Sequence, residues 1–100
     1  MKKSTKACDI SKSVRKQVMD RDDGRCFICS SFEGIQIAHY IPRSRMGLGI
    51  PQNLACMCYL CHSDYDNGRF RNEYQEVFKR YLQSKYDDWD ETQLTYKKRR

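Results

Sequence analysis

Apolar positions recur along this chain with two different periods, and each change of period marks an element. Val14, Val18 and Met19 fall on one side of a helical repeat, and Ser11 precedes them as a cap, so a short helix is expected over Ser11 to Arg21. Asp22-Asp23-Gly24 ends it as a turn. Ile35 to Ile41 reads as a strand stopped by Pro42. Arg43 to Gln52 holds two glycines and a proline and reads as a loop. Asn53 to Met57 is a second short strand, and a helix carrying His62, Tyr65 and Asp66 is expected to begin near the Cys58–Cys61 segment. A longer helix is expected from about Phe70 to Lys85. There Phe70, Tyr74, Val77, Phe78, Tyr81 and Leu82 form one apolar face, opposite Arg71, Glu76, Lys79 and Arg80. That aromatic stripe reads as core packing in preference to a base-stacking surface. Trp89 and Leu94 are expected to fold the last segment back onto the domain.

Length and composition sharpen the picture. A chain of 100 residues with 39% apolar and 32% charged positions suits one globular domain. The expected division is a basic tail over 1–10, one domain over 11–96 (core about 24–68, packing helix about 70–86), and a basic tail over 97–100. Such a chain buries a thin core, and a metal or disulfides commonly reinforce domains of this size. The opening MKKSTKACDISK is followed by no apolar run, and no stretch is long enough to span a bilayer. An intracellular, reducing location is therefore expected, where paired thiols act as metal ligands rather than disulfides. A net charge of +6 suits a polyanionic partner, nucleic acid ahead of a membrane. Part of that charge lies in the tails, at Lys2, Lys3 and Lys6 and at Lys97-Lys98-Arg99-Arg100, where solvation and phosphate contact are equal readings.

Four of the six cysteines form two CxxC pairs, Cys26 with Cys29 and Cys58 with Cys61. Two such knuckles can set four thiolates tetrahedrally around zinc, and a site closed by four thiolates is structural. Cys56 with Cys61 is an alternative second pair; Cys58 is preferred because the spacing then matches at both knuckles. Cys8 is expected to be a free thiol in a polar tail. The two histidines flank Asn53: His39 closes a strand beside a basic loop, and His62 directly follows the last knuckle cysteine.

The order Cys26-Phe-Ile-Cys29, Ala38-His39-Tyr-Ile-Pro-Arg-Ser-Arg, Gln52-Asn53-Leu54, Cys58-Tyr-Leu-Cys61-His62 resembles the HNH endonuclease family over about residues 11 to 68. Within it, the chain looks most like the small stand-alone proteins of bacteriophages and prophages. The resemblance implies an α+β fold, a small zinc-stapled ββα-metal domain with flanking amino- and carboxy-terminal helices. It implies that His39 is the general base, that Asn53 braces the finger and orients that base, and that His62 binds a catalytic divalent metal (Mg²⁺, Mn²⁺, Ni²⁺ or Zn²⁺). It also implies double-stranded DNA as substrate, a bacterial host cytoplasm as the location if of phage origin, and phage packaging proteins as partners by analogy alone.

The chain departs from the family at Ala38. Many members carry a metal-binding side chain immediately before the base, and alanine has none. Asp66 lies one helical turn beyond His62 and is the candidate replacement ligand, against the plainer reading of a surface carboxylate; Asp64 is disfavoured. Arg43 and Arg45 are candidates for the phosphates flanking the cut, against ordinary solvent-facing charge. Two functions stand in contrast: a metal-dependent DNA endonuclease, or a catalytically weakened zinc-stapled DNA-binding or adaptor module.

Overall fold

The computed structural model describes residues 7–68 and 70–96; the basic positions in 1–6 and 97–100 lie outside them. Helix α1 (Lys12–Arg21) leads through the first knuckle to strand β1 (Gln36–His39). A long connection with 3-10 turns at Arg43–Arg45 and Pro51–Asn53 then returns as strand β2 (Leu54–Met57). Helix α2 (Tyr59–Asn67), helix α3 (Arg71–Lys85) and a 3-10 turn at Glu91–Gln93 follow. Ser11 caps α1, its side chain accepting from the Val14 N–H at 3.1 Å, as its position predicts. No helix among the described residues is long and apolar enough to cross a membrane.

The strands pair antiparallel, with Gln36 opposite Met57 and His39 opposite Leu54. Because side chains alternate across a strand, this register splits the core into two layers. Ile37, Leu54 and Cys56 face Val18 of α1. Ala38, Ala55 and Met57 face the other way, onto Tyr65 of α2, Phe78 and Leu82 of α3, and Leu94. Phe78 is the centre of that second layer, its ring 4.8 Å from Phe27, 5.4 Å from Tyr40 and 6.0 Å from Tyr65.

Both strands are shorter than their patterning predicts. Beyond His39 the backbone leaves the ladder: Tyr40 N–H donates to the Asn53 carbonyl and Ile41 N–H to the Asn53 side chain. The stripe on α3 is also only half covered. Phe78 and Leu82 are fully buried, whereas Val77 and Phe70, which precedes the helix, remain about half exposed. The carboxy-terminal segment does fold back, with Leu94 buried and Trp89 Nε1 donating to the Gln52 carbonyl at 2.8 Å.

Asp22 ties the two layers together from the end of α1. Its buried carboxylate accepts from Arg21 at 2.7 and 3.0 Å, from the Cys56 N–H at 2.9 Å, and from the Tyr81 hydroxyl. Burial opposes its ionisation, but these donors together outweigh burial and hold the carboxyl below its ordinary value. A depressed carboxyl contributes stability that is complete above the usual range near about pH 4 and is lost as pH falls through the folded value. Asp22→Asn is therefore expected to destabilise the protein by about 3 kcal/mol at neutral pH. Urea denaturation at several pH values is expected to show that deficit closing as the solution is acidified.

Candidate functional site

Two tight turns present the four cysteines. In the first, Cys26 N–H donates to the Ser31 carbonyl, Ser30 N–H donates to the Cys26 carbonyl, and Ser30 takes φ 65° to close the bend. In the second, Cys58 caps α2, its sulfur accepting from the Cys61 N–H at 3.5 Å. All four sulfurs lie within 4.8 Å of one another, and those of Cys29 and Cys58 are 3.5 Å apart. Tetrahedral zinc with bonds of about 2.3 Å separates its sulfurs by about 3.8 Å, so the cluster fits a structural metal such as zinc.

The alternative pair with Cys56 does not form. Cys56 sits on the opposite face of β2, its sulfur 3.5 Å from that of Met19, and burial, followed by the charge of Asp22, pushes its thiol up to about 12. Cys8 is free but is not a tail residue: it is only 2% exposed. Its segment lies against the connection between the strands, where Gly49 N–H donates to the Ala7 carbonyl at 3.1 Å. A Cβ on Gly49 would stand 2.1 Å from the Asp9 carbonyl oxygen, so this contact requires glycine. The polarity of the segment hid this packing, because its contacts to the connection include backbone groups that residue type does not reveal.

His39 is held by the same segment. Its Nε2 lies 3.1 Å from the Cys8 carbonyl oxygen, which can only accept, so Nε2 carries the proton and Nδ1 keeps its lone pair. Burial lowers the His39 pKa, the charges of Arg43 and His62 lower it further, and the carbonyl bond offsets part of the effect. Asn53 is completely buried. It accepts from Ile41 N–H at 2.8 Å and donates to the carbonyls of Ile41 and Leu48 at 3.1 and 2.9 Å, locking the connection to the end of β1.

His62 follows Cys61 in α2. Its Nδ1 meets Gln36 Oε1, and its Nε2 lies 3.6 Å from an Asp66 carboxylate oxygen. Donor atoms bound at about 2.1 Å to one ion stand about 3.0–3.5 Å apart, so this pair fits an open nitrogen–oxygen site with small adjustment. Ala38 is buried beneath Tyr65 and Phe78 and supplies nothing to it. Among the described residues, the cysteine cluster alone gathers three or more His, Cys, Asp or Glu donors. Asp64 turns away, accepting from the Tyr74 hydroxyl at 3.4 Å. Arg43 is already engaged, with Asp9 at 2.7 Å and with the Cys8 carbonyl at 3.1 Å, while Arg45 is exposed and makes no ion pair among the described residues. Gln36 and the Cys8 carbonyl are the two neighbours of the histidines that sequence reasoning missed. Strand alternation could have found the first, since Gln36 shares a face with Ala38; nothing in the sequence signals the second.

Purified protein is expected to carry one tightly held zinc per chain by elemental analysis. Cys26→Ser is expected to lose both the zinc and the folded circular dichroism spectrum. Cys8→Ser is expected to keep the zinc and lose about 1–3 kcal/mol, as a hydroxyl replaces a buried thiol. A zinc-free wild-type protein would contradict the assignment.

No family model matches the chain, and no curated protein matches it in sequence. Among solved structures it is similar to the Type IV phosphorothioation-dependent restriction endonuclease ScoMcrA, with a TM-score of 0.63 and 21% identity over 76% of this chain. The chain spans 20% of that endonuclease, and at this identity the likeness is one of fold.

Proposed function

We propose that this chain is a metal-dependent DNA endonuclease domain of the HNH type. The observation that carries the reading is the placement of His39. Its Nε2 is occupied by a backbone carbonyl and its Nδ1 is available as a base, close enough to His62 for the two charges to interact. The fold similarity to a restriction endonuclease and the net charge of +6 support the same reading.

In this mechanism His39 Nδ1 takes a proton from a water as its oxygen forms a bond to phosphorus. The P–O3′ bond breaks, and the leaving oxygen takes a proton from solvent. A low imidazole pKa keeps the base neutral and ready at physiological pH. Asn53 keeps the strand end and its histidine in register. His62 and Asp66 would hold the divalent ion, which when bound supplies positive charge to the phosphate and the leaving oxygen. Arg45 is free to take a flanking phosphate, and Arg43 can do so on release from Asp9. Zinc at Cys26, Cys29, Cys58 and Cys61 would hold the framework. The second reading, a DNA-binding module with weakened catalysis, draws on one observation: Ala38 is sealed in the core and leaves the ion two charged or imidazole ligands.

Nicking of supercoiled plasmid with Mg²⁺, Mn²⁺ or Ni²⁺ separates the two. His39→Ala is expected to lower the rate by about 10²–10⁴-fold with zinc content and DNA binding unchanged. Since the His39 pKa lies below its ordinary 6.5, the wild-type rate is expected to hold down to that pH and fall only below it. Metal-independent cutting, or equal rates for the two proteins, would remove His39 from the chemistry.

A further inference from the structure

Gln36 opens β1 on the same face as Ala38, one strand repeat away, with its side chain at the surface. Its Oε1 meets Nδ1 of His62, whose other ring nitrogen points toward Asp66. A neutral imidazole carries its single proton on either nitrogen, and only the bare one can bind a cation. A carboxamide oxygen accepts and cannot donate, so this contact selects the form protonated at Nδ1 and bare at Nε2.

We propose that Gln36 is the positioning residue of the second metal site, fixing the tautomer and ring orientation of His62 so that its Nε2 lone pair faces Asp66. The inference rests on the reading of His62 and Asp66 as metal ligands and adds to it a residue outside that pair. A site with two protein ligands has little redundancy. If the His62 ring were protonated at Nε2, it would donate to the Asp66 carboxylate, and both ligands would be spent on each other. Gln36 blocks that closed state from the side of the strand, and it does so without adding charge beside an ion already facing Asp66. Partners that orient a metal-bound histidine are typically worth about 10–100-fold in metal affinity.

The test uses the full chain with its cysteine site loaded with zinc. Long-range ¹H–¹⁵N correlation without further metal reads the His62 tautomer, and electron paramagnetic resonance of free Mn²⁺ reads the affinity of the second site. Wild type is expected to carry the Nδ1 proton. Gln36→Leu is expected to lose that preference and bind Mn²⁺ about 10–100-fold more weakly, with unchanged zinc content and circular dichroism. Gln36→Glu, which keeps an accepting oxygen, is expected to retain both properties. A wild-type tautomer or wild-type Mn²⁺ affinity in Gln36→Leu overturns the proposal, as does a wild-type chain that binds no Mn²⁺ at His62. A wild-type chain that shows the full tautomer and affinity response but cuts no DNA supports the positioning role and overturns the nuclease reading alone.

Discussion

Four sulfur atoms from two segments some thirty residues apart meet within 4.8 Å, and the placement of nearly every other functional group follows from that meeting. Cys26 and Cys29 hang from the backbone beside β2, since Phe27 N–H donates to the Cys56 carbonyl. Cys58 both joins the cluster and caps α2. The first turn of α2 is therefore anchored to the sheet through the sulfurs, and His62, one residue beyond Cys61, inherits its position. Zinc bound at such a site contributes an apparent 10–16 kcal/mol or so, on the scale of the whole stability of a domain, which is about 5–15 kcal/mol. With a core this thin, a metal held there would contribute much of what keeps the site in place.

The hairpin then distributes chemistry by alternation. His39 leaves the sheet on the α1 side, where Cys8 and Arg43 receive it; Gln36 leaves on the other, where His62 receives it. Each imidazole is thus met by an oxygen that can only accept, His39 by the Cys8 carbonyl and His62 by Gln36 of the strand. Asn53 keeps this arrangement from unravelling at its open end by replacing the ladder with three side-chain hydrogen bonds. Gly47 allows the connection to close so tightly there, for a Cβ at that position would lie 1.7 Å from the Ile41 carbonyl oxygen.

Much of this was legible in the sequence, and the reasons differ by element. The Ser11 cap, the 3.6-residue stripe over Phe78 and Leu82, and the matched CxxC spacings each express a local rule strong enough to survive folding. Strand ends were overestimated because Asn53, read as the first residue of the second strand, instead turns its side chain onto Ile41 and Leu48 and replaces the ladder there. Cys8 looked like tail because the contacts that hold its segment to His39 and Arg43 run through its main-chain carbonyl, which leaves no trace in residue type. Asp22 read as a turn residue; its burial against Tyr81 and Cys56 joins positions far apart in the chain. Val77 and Phe70 fit the helical period yet remain half exposed, because the period states which side an apolar residue faces and not how far the covering layer extends.

The central claim is that a zinc-stapled hairpin presents His39 and the His62–Asp66 pair to one phosphate. Diffraction from crystals of the protein with a short DNA duplex and Mn²⁺, recorded at the manganese edge, tests it most directly. The account predicts an anomalous peak bonded to His62 Nε2, the Asp66 carboxylate and a phosphate oxygen, with His39 Nδ1 facing the same phosphorus. Manganese bound elsewhere, or a duplex whose phosphates stay clear of both histidines, would contradict it.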